Sequence, residues 1–128
     1  MKIKDHLDSF EEHKEIIDLV VSIRGLEKSQ RTIGLHSSRA IVELLSAYLH
    51  EKNLITLGTQ LNHRWFKSKS VSEKLPNFPK KEIIINNMMN LENLSEDLAY
   101  GSPKSIELIK KNLLLLNKIN EQIQELRK

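Results

Sequence analysis

The sequence predicts an all-α protein, an up-and-down antiparallel helical bundle of four long helices plus a short fifth segment. Leu, Ile, Lys, Glu and Asn dominate the composition, and most of these are good helix formers. Glycine (4 residues), proline (3) and aromatic residues (5%) are too scarce for a sheet, which needs turn residues and bulky or β-branched strand residues. Apolar residues recur at intervals of three and four along nearly the whole chain, the period of a helix face. At 128 residues the chain reads as one domain, residues 1–128, long enough to bury a single core without staples.

The first helix is expected from Ile3 to about Lys28. Its inner face carries Ile3, Leu7, Phe10, Ile17 and Val21, widened by Ile16, Leu19, Val20 and Ile23. Gly25 sits near its end, where a glycine can leave a helix by the left-handed route or the helix can run past it. His6 and His13 lie on nearly one side, about 10 Å apart along the axis, too far to share a metal, and are expected to be solvated or flanking residues.

Ser29 or Gln30 opens the central helix, which ends near Asn53. At about 100° per residue, Ile33, Leu35, Ile41, Val42, Leu44, Leu45, Tyr48 and Leu49 cover roughly 200° of its circumference. So wide an apolar arc makes it a central member packed on two or three sides. A polar strip remains, formed by His36, Arg39, Glu43 and His50, with Ala40 and Ala47 between them. Gly58 marks a break, and a shorter helical piece is expected over about 60–74, with Trp65 and Phe66 either closing one end of the bundle or, among cations, offering rings on which bases stack. Pro76 and Pro79 then enforce a non-helical link.

The third long helix follows from Lys80 through Ile84, Met88, Leu91 and Leu98 to Tyr100. Gly101 reads as its C-cap, Ser102 as the next N-cap and Pro103 as a first-turn residue. So short a connection makes the last two helices antiparallel neighbours. The final helix carries Ile106, Ile109, Leu113, Leu116 and Ile123 in a seam, with Asn120 at a seam position. Leu108, Leu115, Ile119 and Leu126 form a second apolar row that suits contact with another copy.

The net charge is +3 and there is no cysteine, which excludes disulfides, thiolate metal sites and cysteine nucleophiles. The N-terminal residues lack an apolar signal core and no apolar run reaches the roughly 20 residues of a membrane span. The expectation is a soluble, cytoplasmic protein with no membrane association. Residues 60–81 hold Arg64, Lys67, Lys69, Lys74, Lys80 and Lys81 against Glu73 alone, and the following segment reverses sign with Glu82, Glu92, Glu96 and Asp97. This asymmetry suits an anionic partner on one side.

No phosphate loop, dinucleotide fingerprint, serine elbow or metal-ligand spacing is present, so no cofactor and no metal are expected. Arg31 and His36 begin the central helix in an Arg-x4-His element. A guanidinium clamps a phosphodiester and offsets its developing charge, while a histidine titrating near neutrality moves the proton of a ribose 2′-hydroxyl. On a continuous helix the two diverge by about 140°, so they converge only if Arg31 lies in the first turn or wraps around. Arg39 is the alternative, one turn after His36, with Glu43 placed to pair with it; Arg64 is a further phosphate candidate.

A small helical chain with this Arg-x4-His element, a second helix ending in Ala47-Tyr-Leu-His-Glu-Lys52 and an antiparallel final pair resembles the HEPN superfamily. The resemblance implies a helical bundle that commonly dimerises. It implies either a metal-independent endoribonuclease, in which arginine and histidine from both subunits meet in a dimer cleft, or a non-catalytic nucleotide-binding or interaction module partnering a nucleotidyltransferase. Arg31 and His36 would take the two motif positions, with Arg39, Glu43 and Arg64 as substrate-binding or orienting partners. Thr32 stands where many active members carry Asn or Asp. The expected partners are RNA or a nucleotide and a second copy of the chain.

Overall fold

The computed structural model describes residues 2–128. It is an all-α bundle with helices α1 (Ile3–Arg24), α2 (Gln30–Glu51), the single turn α3 (Val71–Lys74), α4 (Lys81–Tyr100) and α5 (Ile106–Arg127). No strand occurs among the described residues. Two 3-10 turns, Glu27–Ser29 and His63–Lys67, complete the elements.

α2 is the central member, packed against α1, α4 and α5. Ile33, Ile41, Leu44, Leu45 and Leu49 are fully buried on it, as the wide apolar arc requires. Cross-helix contacts give the directions. His6 meets Glu43 and His13 meets His36, so α1 runs antiparallel to α2. Ser95 meets Asn112 and Asn87 meets Gln122, so α5 runs antiparallel to α4. Glu51 near the end of α2 takes a two-pronged ion pair from Arg127 near the end of α5, at 2.7 and 3.0 Å, which sets these two helices parallel.

The first helix ends earlier than its apolar pattern suggests. It stops at Arg24 because Gly25 adopts φ 82°, a conformation in which a Cβ is strained, while its N–H still bonds Val21 O at 2.9 Å. The expected helix over 60–74 is not continuous. It divides into the 3-10 turn and α3 with non-helical Ser68 between them, at φ −139° and ψ 162°. Phe66 and Val71 are both buried, and the break between them lets each reach the core. Lys81 Nζ closes the proline-containing link by donating to Ser72 O at 2.9 Å and Leu75 O at 2.8 Å.

The connection from α4 to α5 also departs from expectation. Gly101 ends α4 in extended backbone rather than by the left-handed route (φ −87°, ψ −179°), and α5 starts only after Ser105, whose Oγ accepts from Leu108 N–H at 3.4 Å. The reason lies on α2. The Gln30 amide donates to Leu98 O and Ser102 O at 3.2 and 3.1 Å, and its carbonyl accepts Lys104 N–H at 2.7 Å. One buried side chain therefore satisfies a carbonyl in the last turn of α4 and two backbone groups of the link, which then need no helix. Along α5 the buried stripe is Ile109, Asn112, Leu116, Ile119 and Ile123, rotated from the expected seam. Asn112, not Asn120, is the polar residue sealed inside, donating to Ser95 Oγ at 3.1 Å.

The backbones of α2 and α4 lie close together at Gly34. A Cβ there would lie 2.5 Å from Ala99 N and 2.6 Å from Ser95 O, both backbone atoms. Helix propensity alone makes Gly34→Ala stabilising by about 1 kcal/mol. The crossing reverses that sign, and we expect a loss of about 1–3 kcal/mol in urea unfolding; an unchanged or raised midpoint would show that α2 and α4 are not held this closely.

Candidate functional site

A cleft runs over the α2–α4 crossing under the link 60–67. Its inner part, about 140 Å³, is lined by Ser38, Arg39, His63, Arg64, Lys67, Glu92, Ser95 and Tyr100, among others. It continues into a shallower basin that shares Arg39, His63 and Arg64 and adds His13, Glu43, Asn62 and Trp65.

The link is placed by its 3-10 geometry. With three residues per turn, positions three apart eclipse, so His63 and Phe66 share one side and Arg64 and Lys67 another. Phe66 is 1% exposed and anchors the turn in the core. His63 Nδ1 donates to the Glu92 carboxylate at 2.9 Å, and Lys67 pairs with Glu96 at 2.7 Å. Asn62 Oδ1 caps the turn by accepting Arg64 N–H at 2.9 Å. Two acids of α4 thus hold two basic residues of the link.

Arg64 is left over. Its side chain is exposed, and among the described residues neither it nor Arg39 meets a carboxylate. The Arg39 guanidinium bonds Leu35 O one turn back on its own helix. Two guanidiniums without counter-ions therefore flank one cleft. Beside them His63 is oriented by Glu92, a carboxylate only 3% exposed. With Nδ1 committed to that carboxylate, Nε2 is the nitrogen free for proton transfer.

The seam between α1 and α2 holds four of the five histidines, His6 and His13 from α1 and His36 and His50 from α2. His13 and His36 share a hydrogen bond between their Nδ1 atoms at 2.9 Å. His6 Nδ1 donates to Glu43 at 2.7 Å and its ring stacks on His50, with centroids 5.3 Å apart. His6 is therefore buried at 4% exposure rather than solvated. The heptad spacing of His6 and His13 places both in the helix–helix seam. Burial pushes His13 below the ordinary histidine range, with the charges of His36 and Arg39 adding to the effect. Burial and then Arg39 do the same to His36, and burial with His6 lowers His50.

Arg31 and His36 face different neighbours. Arg31 donates to Ala99 O at 3.1 Å, satisfying a carbonyl at the end of α4, whereas His36 turns to α1. Of the residues singled out in the sequence, Arg39 and Arg64 come together in the cleft, and Glu43 lines its basin while bound to His6. His63, Glu92 and His13 were not singled out as site residues. The adjacency of His63 to Arg64 was visible; the carboxylate that orients it, 29 residues away, was not. Among the described residues no group of three or more His, Asp or Glu side chains is arranged to hold a metal ion, and no helix is long and apolar enough to cross a membrane.

Fold and cleft together define a small helical bundle with a cationic, histidine-bearing groove. Comparison with protein families, curated proteins and solved structures finds no match to this chain.

The lowered histidines set a pH dependence. In the unfolded chain these imidazoles protonate near their ordinary value of about 6.5, and in the folded protein only at lower pH. Between the two the unfolded state binds more protons, so stability is lost as pH falls below about 6.5. Urea midpoints should be lower at pH 5.5 than at 7.5, with a smaller drop in the double variant His13→Gln, His36→Gln. An equal drop in that variant would place the proton uptake elsewhere.

Proposed function

We propose that this protein binds RNA in the cleft and cleaves it without a metal, as a HEPN-like endoribonuclease. The observation that carries the reading is the pair of guanidiniums without carboxylate partners, Arg39 and Arg64, beside an imidazole oriented by a buried carboxylate. Guanidiniums suit phosphodiesters because their planar forks match phosphate oxygens and stay charged. RNA is favoured over other phosphates because its 2′-hydroxyl is an internal nucleophile. Its cleavage then needs only proton transfer and charge stabilisation, which is the inventory of this cleft. Trp65 lines the basin and supplies a surface on which a base can stack.

In this reading Arg39 and Arg64 hold the phosphate and His63 moves a proton at one of the ribose oxygens bonded to, or attacking, the phosphorus. Arg31 supports the end of α4, so the arginine role implied by the Arg-x4-His resemblance passes to Arg39, one turn from His36. The expected homodimer belongs to the same proposal; what supports it is the exposed apolar side chains Leu19 and Ile23 on α1 and Leu114 on α5. Those side chains equally favour a second reading, a non-catalytic module that docks a protein such as a nucleotidyltransferase.

The test is binding and cleavage of a single-stranded RNA oligonucleotide in EDTA. His63→Ala is expected to slow cleavage about 10²–10⁴-fold with binding retained. The double variant Arg39→Ala, Arg64→Ala should weaken binding and flatten its salt dependence by about 0.7 in log–log slope for each phosphate no longer neutralised. Undiminished binding by the double variant would remove the cleft from the account. A folded protein that neither binds nor cleaves RNA would leave the second reading.

A further inference from the structure

A reaction that takes a proton from a 2′-hydroxyl and gives one to the departing 5′-oxygen is fastest with two proton-transferring groups on either side of the phosphorus. His63 is one. The basin holding Arg39, Arg64 and His63 has one further imidazole in its lining, that of His13. We infer that His13 is the general base of the proposed cleavage and that His36 is a positioning residue that holds it.

An Nδ1-to-Nδ1 bond uses one proton. In the proposed arrangement His13 donates it, which leaves His13 Nε2 as a bare acceptor and keeps the proton of His36 on its own Nε2. His36 thus fixes the ring and tautomer of His13, as a hydrogen-bond partner on the far nitrogen does for any working imidazole. His63 differs, because its Nδ1 donates to the carboxylate of Glu92. Two imidazoles in unlike surroundings then divide the work, His13 taking a proton and His63 giving one.

The step balances. The 2′-oxygen forms a bond to phosphorus as its proton passes to His13 Nε2. The bond from phosphorus to the 5′-oxygen breaks with its electron pair on that oxygen, which receives the proton of His63 Nε2. The products are a 2′,3′-cyclic phosphate and a 5′-hydroxyl, and Arg39 and Arg64 offset the charge on the phosphoryl oxygens throughout. The charged and titratable groups that face His13 are Glu12 on α1, His36, Arg39 and Glu43 on α2, and His63 and Arg64 on the link. Burial, then His36 and Arg39, disfavour a protonated His13, while Glu12 favours it, and the net effect lowers the ring below the ordinary histidine range.

This inference rests on the RNA-cleaving reading, and its test separates the two. Cleavage of an RNA oligonucleotide is compared with that of the same oligonucleotide carrying one 5′-bridging sulfur, a leaving group that needs no acid. His13→Gln and His13→Asn are expected to lose about 10²-fold or more in kcat on both substrates with RNA binding unchanged. His63→Ala should be rescued by the sulfur substrate, which also shows that the variant is folded. His36→Ala should move the low-pH limb of the rate profile upward, since a group that lowers His13 has been removed. Cleavage indifferent to His13, or rescue of the His13 variants by sulfur, would overturn the assignment while leaving the nuclease reading standing. RNA binding without cleavage by the unaltered protein would overturn both.

Discussion

The burial of α2 on three sides is the constraint on which the rest of the structure depends. A helix so enclosed has almost no face left for solvent, so each polar side chain on it must find a partner on a neighbouring element. Gln30 takes up the link between α4 and α5, Glu43 takes His6, and His36 takes His13. Ser37 and Ser46 return their hydroxyls to carbonyls of their own helix at 2.6 and 2.8 Å. Buried His50 Nε2 has no hydrogen-bond partner, and Arg39 bonds only the Leu35 carbonyl of its own helix and reaches the cleft without a counter-ion.

The second guanidinium arrives by a different route. The turn His63–Lys67 has little internal structure, and its position is set from outside by Phe66 in the core and by Glu92 and Glu96 of α4. Because both acids are used to hold His63 and Lys67, none remains for Arg64. The pairings that build the link therefore also leave it one unbalanced cation, next to Arg39. Closeness of α2 and α4 at Gly34 brings these two sources of charge within one small cleft.

The fold was largely legible in the sequence because long apolar periodicity survives context. The breadth of the apolar arc on α2 correctly indicated a central helix, whereas the apolar pattern carried α1 on to about Lys28, past its exit at Gly25. The errors fall where a distant side chain overrides a local signal. Ser102 and Pro103 read as a helix start, yet Gln30 satisfies the backbone there and α5 waits for Ser105. Residues 60–74 carry helix-compatible residues, but seating both Phe66 and Val71 requires a break. In the site, Arg39 and Arg64 could be named from residue type and position. Glu92 could not, because its role is set by a contact across the bundle. His6 and His13 lie seven residues apart, a spacing that fits a seam as well as a surface, and only the partners His36, Glu43 and His50 decide between the two.

The five histidines provide internal reporters for the central claim that RNA occupies this cleft. A long-range proton–nitrogen NMR spectrum of their imidazoles, recorded while adding a 2′-O-methyl RNA oligonucleotide that cannot be cleaved, reads all of them at once. The account predicts shifts of His13 and His63, which line the cleft, with His6 and His50, sealed between α1 and α2, unmoved. Shifts confined to His6 and His50, or none at saturating RNA, would contradict it.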